Sequence, residues 1–462
     1  MLFYFERFLV LALIVVLAAA PLPLGSNRPV SWSLLSFASG GLVCLWGLAA
    51  TFRPTLFRLS GTAAIVPAVG WLLLVGWLLA QTGGPEFLWH PLWTPTAAAL
   101  GLETIGGAIA VSPSDAATSA MRLLAYGGIF WVAAQTGREP DNAAIYVFSA
   151  VGIGTLYALY GLAAEIAGGE TIVGLKKWAY EDSLTSTFVN RNSFATFAAL
   201  AAVAGLGMVM RGLRAGGGGM SAEPRPVIHR PARISPEVWL CAFAVLILVI
   251  ALVMTRSRAG LVAGGVGMAA LGWAWFYRRG RLPGAPVLLA AAAASVVVVI
   301  LAAGGGTFER KVDADGQELS GRPWLFQRTI SAIADEPLTG HGGGAFESYF
   351  HGYKNAQFGG VYAISKAHNS YLEFAADAGA PALLLLLGIY AWIAGACIRG
   401  VRVRRQDAIY PAIGLAAAAL VGLHALVDFS VQIPAVAALF AMLLGVGYAQ
   451  AFPTGGGRHN RL

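Results

Sequence analysis

Charge is what this sequence has least of. Lys, Arg, Asp and Glu together make up 12% of its 462 residues, against 57% apolar, and the mean hydropathy is +0.67. So little charge excludes an ordinary soluble domain. Cysteine is nearly absent as well, and Cys44, Cys241 and Cys397 each fall inside an apolar run. That scatter excludes a disulfide framework or a thiolate metal site. There is no Walker-type phosphate loop and no His or Cys cluster at metal-ligand spacing. Nor does an outer loop carry paired aspartates of the kind that hold a divalent cation on a sugar diphosphate. The expectation is a protein without metal or cofactor, in which any diphosphate must be neutralised by arginine.

What the sequence does have is apolar runs of membrane-crossing length. Twelve are expected, starting near Phe8, Trp32, Thr62, Ser119, Ala143, Arg191, Val238, Leu261, Pro286, Ala380, Tyr410 and Ile433. The first ends in Ala18-Ala19-Ala20, which imitates a signal-peptidase site, but the charges ahead of it, Glu6 and Arg7, cancel, so it reads as a retained span. The fold class is therefore an all-α polytopic membrane protein. Residues 1–210 carry spans one to six, 211–237 a linker, 238–304 spans seven to nine, 305–379 a large loop, 380–452 spans ten to twelve, and 453–462 a tail.

Basic residues flanking membrane spans collect on the cytoplasmic side. With the N-terminus inside, the inner segments hold Arg53, Arg58, Arg138, the arginines of 211–233, 278–281 and 399–405, and Arg458 and Arg461. The outer segments are then left slightly acidic. The net charge of +8 and the pI near 9.5 thus report topology rather than nucleic-acid binding. Both termini are expected in the cytoplasm.

Three connections are long. The outer stretch 81–118 is rich in Pro, Trp and Gly, with Trp89, His90 and Trp93 suited to the membrane interface. The inner linker 211–237 opens with Gly216 to Gly219 and reads as disordered. The outer loop 305–379 is too long to be structureless without a task. In it Trp324, Leu325, Ile330 and Ile333 recur at helical spacing before Pro337. Phe346, Tyr349, Phe350 and Tyr353 follow a Gly-rich turn, and a second helix is expected to open at about His368 and stop at Gly379. The loop reads as an amphipathic cap whose Trp and Tyr face lipid headgroups or a substrate.

The outer edge also carries charges that ask for a task. Arg191 opens a span in FVNRNSFA, Arg256 and Arg258 fill the tight turn TRSRAG, and Arg322 opens the loop helix in SGRPW. Guanidinium groups grip phosphate oxygens with two hydrogen bonds at once, so such a cluster suits a lipid-linked phosphate or diphosphate. Snorkelling to headgroups, or pairing with Glu309, Asp335 or Glu373, would also account for single members. His368, at a helix N-terminus where the macrodipole favours the neutral ring, suits a general base; a helix cap is the alternative. His424 and Asp428, at i and i+4, are expected to share a helix face as a structural or supporting pair. Glu373 is a further supporting candidate.

KAHNSYLEFAADAGAPALLLLLG resembles the signature of the O-antigen ligase and polymerase superfamily of bacterial envelope glycan transferases. SGRPWLFQRTISAIADEPLTGHGGGAF is similar to that family's upstream loop segment, FVNRNSFA to the opening of one of its spans, and MTRSRAG to its S-R-[GA] turn. PLPLGSNRP and HALVDFSVQIPA also resemble members of the group. The resemblance implies a GT-C-like architecture and a metal-independent, inverting transfer of a glycan from undecaprenyl diphosphate on the periplasmic face of the inner membrane. It implies His368 as the base and Arg258 and Arg322 as the diphosphate clamp, with Arg191 less strictly matched. Arg256, Trp324 and Tyr371 would stand around them. A ligase passes the glycan to lipid A core, a polymerase to the next lipid-linked repeat, and a third branch to protein; the ligase reading is preferred. A flippase or secondary transporter would fit the span count, but no Gly/Pro-broken span pair and no mid-span acid support it.

Overall fold

The computed structural model describes residues 2–103, 105–215, 235–277, 321–354, 364–404 and 406–452. Over these residues the chain is an all-α polytopic membrane protein. Its long helices are α1 (Leu2–Ala19), α2 (Pro29–Phe52), α3 (Thr62–Ala80), α5 (Pro113–Thr136), α6 (Pro140–Ile166), α7 (Arg191–Ala215), α8 (Pro236–Met254) and α9 (Arg258–Tyr277), with the short α4 (Trp93–Ala99) in the outer stretch. After the loop helices α10 (Gly321–Asp335), α11 (Phe346–Phe350) and α12 (Ser370–Ala378) come α13 (Ala380–Val403), α14 (Ile409–His424) and α15 (Pro434–Ala451). Eight helices, α2, α3, α6, α7, α8, α9, α13 and α15, are long and apolar enough to cross a membrane. The span expected near Pro286 lies outside the described residues, as do most of the expected linker, 305–320 and 355–363 of the large loop, and the tail 453–462.

Helices α1 and α5 begin six residues ahead of the expected starts, α2, α6 and α9 three and α8 two, and in α2, α5, α6 and α8 the cause is local. Proline stands in the first turn of α2, α5, α6, α8, α13 and α15. There its missing N–H costs nothing and its fixed φ is already helical. Hydropathy registers only the apolar part of each run. In α1 the extension also contains a charge, and Glu6, buried, is bound through two nitrogens of Arg58 at 3.2 and 3.0 Å. That contact puts the start of α1 and the α2–α3 connection on the same side.

Burial sorts the helices. The membrane-length window of α15 is 100% buried and that of α7 83%, against 22% for α13 and 28% for α2. Helices α7 and α15 are therefore the interior of the bundle, while α2 and α13 turn apolar side chains such as Phe37 and Leu384 outward, where lipid replaces a protein partner. Helix α7 packs against α6, α8, α9 and α14, so it is held from four sides.

The large loop forms a cap with its own core of Leu325, Ala332, Ala345, Phe346, Tyr349, Phe350, Ala367 and Ala376. Its aromatic residues do not face outward as expected. Phe346, Tyr349 and Phe350 are buried, and Trp324 meets Phe350 edge-on. The inward face of α10 is Leu325, Thr329 and Ala332, while Ile330, expected on the apolar stripe, is exposed. Tyr371 instead donates its hydroxyl to the Gly422 carbonyl at 2.9 Å. The cap ends at Gly379, with φ +85°, where a Cβ would lie 2.1 Å from the Leu338 oxygen, so only glycine fits.

Buried Gln81, at the end of α3, pins the cap to the bundle: its amide donates to the Thr339 and Asp377 carbonyls and its oxygen accepts from Gly343 N–H. Trp89 and Trp93 likewise spend their indole N–H groups on the Gly84 and Ala110 carbonyls, fastening the outer stretch to itself. A histidine pair completes the junction. Leu92 N–H donates to His90 Nδ1 at 3.1 Å, so His90 Nε2 carries the proton and donates to His341 Nδ1 at 2.8 Å; His341 Nε2 then donates to the Ala332 carbonyl at 2.9 Å. Each acceptor nitrogen must be unprotonated for this chain to exist.

Burial, with the adjoining His341, pushes His90 down to about 4. Burial also lowers His341, against the opposing influence of the Ala332 carbonyl, Glu336 and Asp335; Tyr349 stacks on its ring and Tyr353 lies edge-on. Lowered folded values mean the undocked loop binds more protons, so docking is fully supported above the ordinary histidine range and lost as pH falls toward 4. Hydrogen exchange at Val111 N–H, which donates to the His341 carbonyl, should therefore lose protection on acidification, and His90→Leu should flatten that dependence.

Candidate functional site

Two polar helix starts lie side by side at one end of the bundle. Asn190 caps α7, its Oδ1 accepting from Asn192 N–H at 2.7 Å, and Arg191 is the first helical residue. Ser257 caps α9, its Oγ accepting from Gly260 N–H at 3.1 Å, and Arg258 is again the first helical residue. The helices approach closely enough that a Cβ on Gly260 would lie 2.6 Å from Cβ of Ala195. The two starts are joined directly, Ser257 Oγ donating to Asn192 Oδ1 at 2.7 Å. Unpaired N–H groups and the positive ends of two long helices thus adjoin two arginines, an arrangement suited to anions.

Arg256 has φ +53° and reaches Asp182, in the α6–α7 connection, at 3.3 Å across an exposed pair. Arg191 donates to Ser183 at 3.0 Å and lies over the Tyr180 ring. A hydrogen bond from Ser183 holds the Asp182 carboxyl below its usual range despite burial, with Arg191 and Arg256 adding to the effect. Arg258 is exposed at the head of α9. Arg191 and Arg256 thus both act on Asp182, and Arg258 heads the helix start joined to that of Arg191 through Ser257 and Asn192. Arg322 lies on the first turn of α10, which packs on α12, and its side chain falls outside the described residues.

The helix expected to open at His368 opens at Ser370, and Asn369 is its cap, accepting from Tyr371 and Leu372 N–H groups. His368 is therefore not the cap. Its backbone is left-handed, φ +53°, at a cost of about 1–2 kcal/mol for a residue with a side chain. Its Nδ1 faces Asp428 Oδ2 at 3.9 Å, and the histidine side chain is 33% exposed where the carboxylate is 0% exposed. Nδ1 makes no hydrogen bond among the described residues. An accessible imidazole is thus backed by a sealed carboxylate.

Asp428 and His424 do not share a helix face: α14 ends at His424, and Asp428 lies in the connection to α15. Both still turn toward α7, where the i, i+4 relation is found. His424 Nδ1 meets Thr196 Oγ1 at 2.7 Å, and Asn192 Nδ2 donates to Asp428 Oδ2 at 2.7 Å. Ser430 donates to the other carboxylate oxygen. Burial alone would raise Asp428, but contact with His368, the neighbouring His424, and the bonds from Ser430 and Asn192 outweigh it and hold the group low. It stays ionised.

Glu373 is buried and fully occupied, accepting from Lys366 Nζ and from Ala367 N–H, both at 2.8 Å. It anchors the segment that delivers His368. Trp324 is half-buried against the cap core with Arg328 over its ring, and Tyr371 lies against α14. The sequence does not single out Asn190, Asn192 and Ser257 as site residues, although Asn-x-Asn ahead of an apolar run is a helix-start signal. Among the described residues, no three His, Cys, Asp or Glu side chains gather as a metal site would need.

Residues 243–387 match a family model described as O-Antigen ligase, a stretch that runs from α8 through the arginine turn and the cap into α13. No curated protein matches the chain.

Proposed function

From the match of residues 243–387 to the O-Antigen ligase family model, we propose that the protein transfers a glycan from undecaprenyl diphosphate to an acceptor hydroxyl on the periplasmic face of the inner membrane. The reading taken is that of a ligase, with lipid A core as acceptor. The observation that carries it is the half-buried His368, backed by sealed Asp428, beside two helix N-termini that each begin with arginine.

In this mechanism the acceptor hydroxyl gives its proton to His368 as its oxygen attacks the anomeric carbon from the face opposite the diphosphate. The C–O bond to the carrier breaks, configuration inverts, and the electron pair leaves on the diphosphate. Arg258, Arg191 and Arg256, the N-terminal N–H groups of α7 and α9, and, by family resemblance, Arg322 take up the growing charge. Asp428 stabilises the imidazolium until its proton passes to solvent. Sequence charge supports placing this end of the bundle outside.

The test is transfer by purified protein from a lipid-linked glycan to lipid A core. It is expected to survive excess chelator, and restoration by a divalent cation after loss would overturn the arginine-only reading. Failure to transfer to lipid A core, with chains lengthened on the carrier instead, would make the protein a polymerase. Arg258→Lys keeps the charge and loses the two-pronged grip, so the donor KM should rise and kcat fall together.

A further inference from the structure

The proposed mechanism does not use Asn192, yet this buried amide links the arginine-bearing turn directly to the histidine–carboxylate pair. Its two ends are assigned by their partners. Asp428 can only accept when ionised, so Nδ2 faces it; Ser257 donates, so Oδ1 faces that side. Moreover, Asn192 binds the same carboxylate oxygen that faces His368: Oδ2 is 2.7 Å from Nδ2 and 3.9 Å from the histidine Nδ1. A donor on Oδ2 lowers that oxygen's pull on the ring and keeps it from closing to a hydrogen bond.

We infer that Asn192 is a positioning residue that holds Asp428 Oδ2 at a stand-off from His368, and that Ser257 fixes the amide so that the α8–α9 turn and the base keep one geometry. The inference rests on the reading of His368 as base. Without the stand-off, Oδ2 would draw the imidazole in, make it a better proton acceptor at rest, and leave it protonated over more of the working pH range. The groups facing this oxygen and ring are His424 from α14, Ser430 and Phe429 from the α14–α15 connection, and Asn192 from α7. Lys366, two residues before His368, is engaged by Glu373 and Gln432; Arg191 precedes Asn192 on α7, and Arg256 and Arg258 flank Ser257.

The experiment is a pH profile of transfer in variants that insert and accumulate normally. Asn192→Ala should lower kcat about tenfold to a hundredfold, the range for partners that orient a reacting side chain. It should also move the acid limb up by roughly half a unit to one unit, a fraction of what a lost charge-assisted hydrogen bond is worth because the effect reaches His368 through Asp428, with donor KM little changed. Asn192→Asp is nearly isosteric and still accepts from Ser257, but sets a second carboxylate against Asp428; it should move the limb further in the same direction. Ser257→Ala should move it the same way by less. If Asn192→Ala does not accumulate, the other two variants decide. An unmoved acid limb, whatever the loss of rate, overturns the positioning role and leaves the base reading intact. Near wild-type turnover by His368→Ala would overturn both, and that result comes from the histidine variant alone.

Discussion

Replacing His368 by alanine is expected to lower glycan transfer by about 10²–10⁴-fold, with donor binding little affected. The magnitude follows from what the substitution removes. An acceptor hydroxyl is a poor nucleophile until its proton is taken, and His368 is the accessible group placed to take it, since Glu373 and Asp428 are sealed and engaged by donors. Arg191 and Arg256 have other partners, Ser183 and Asp182, so the proposed diphosphate clamp is expected to survive the change. Donor binding measured with inactive variant protein, alongside single-turnover transfer, separates the two roles. If His368→Ala turned over at near the wild-type rate, the left-handed histidine would be a structural corner and the proposed mechanism would fail.

Asp428→Asn is expected to cost about 10²–10³-fold, less than the histidine itself but far more than a surface change. An amide of the same shape fills the cavity, so the fold is retained, but two consequences are chemical. The negative charge that stabilises the imidazolium in the transition state is gone, and one end of the new amide must turn a donor toward Asn192 or Ser430, both of which already donate there. Loss of the charge makes His368 a weaker proton acceptor, so the acid limb of the profile should move down in pH. Asn192→Ala should move it up, and that opposition of sign identifies electrostatic coupling, because a general loosening of the site would move both in one direction. An acid limb that did not move in Asp428→Asn would leave the carboxylate a packing residue.

Much of the fold was legible because lipid imposes a severe rule on sequence: a crossing segment must be apolar for its whole length and must satisfy its backbone internally. That rule alone identifies α2, α3, α6 to α9, α13 and α15 as membrane-crossing helices. The rule is blind to where helices start when proline opens them, as at Pro29 and Pro113, and to a charge neutralised from another segment, as Glu6 is by Arg58. The arginines of the α7 and α9 starts were likewise legible, since exposed guanidinium groups on a short turn have few structural uses.

What remained for the tertiary structure was pairing. Sequence distance set His424 and Asp428 on one helix face, whereas the helix stops between them and both are turned to α7 by Thr196 and Asn192. The loop aromatics read as outward-facing, because a helical stripe reveals an apolar face but not what will cover it; the cap covers them with its own short helices. By itself the sequence determined that the protein lives in lipid and where its long apolar helices run, both of which depend on local composition. That Ser257, Asn192, Asp428 and His368 form one line was decided only when four distant segments packed together, because a hydrogen bond depends on distance and direction in space and leaves no periodic trace along the chain.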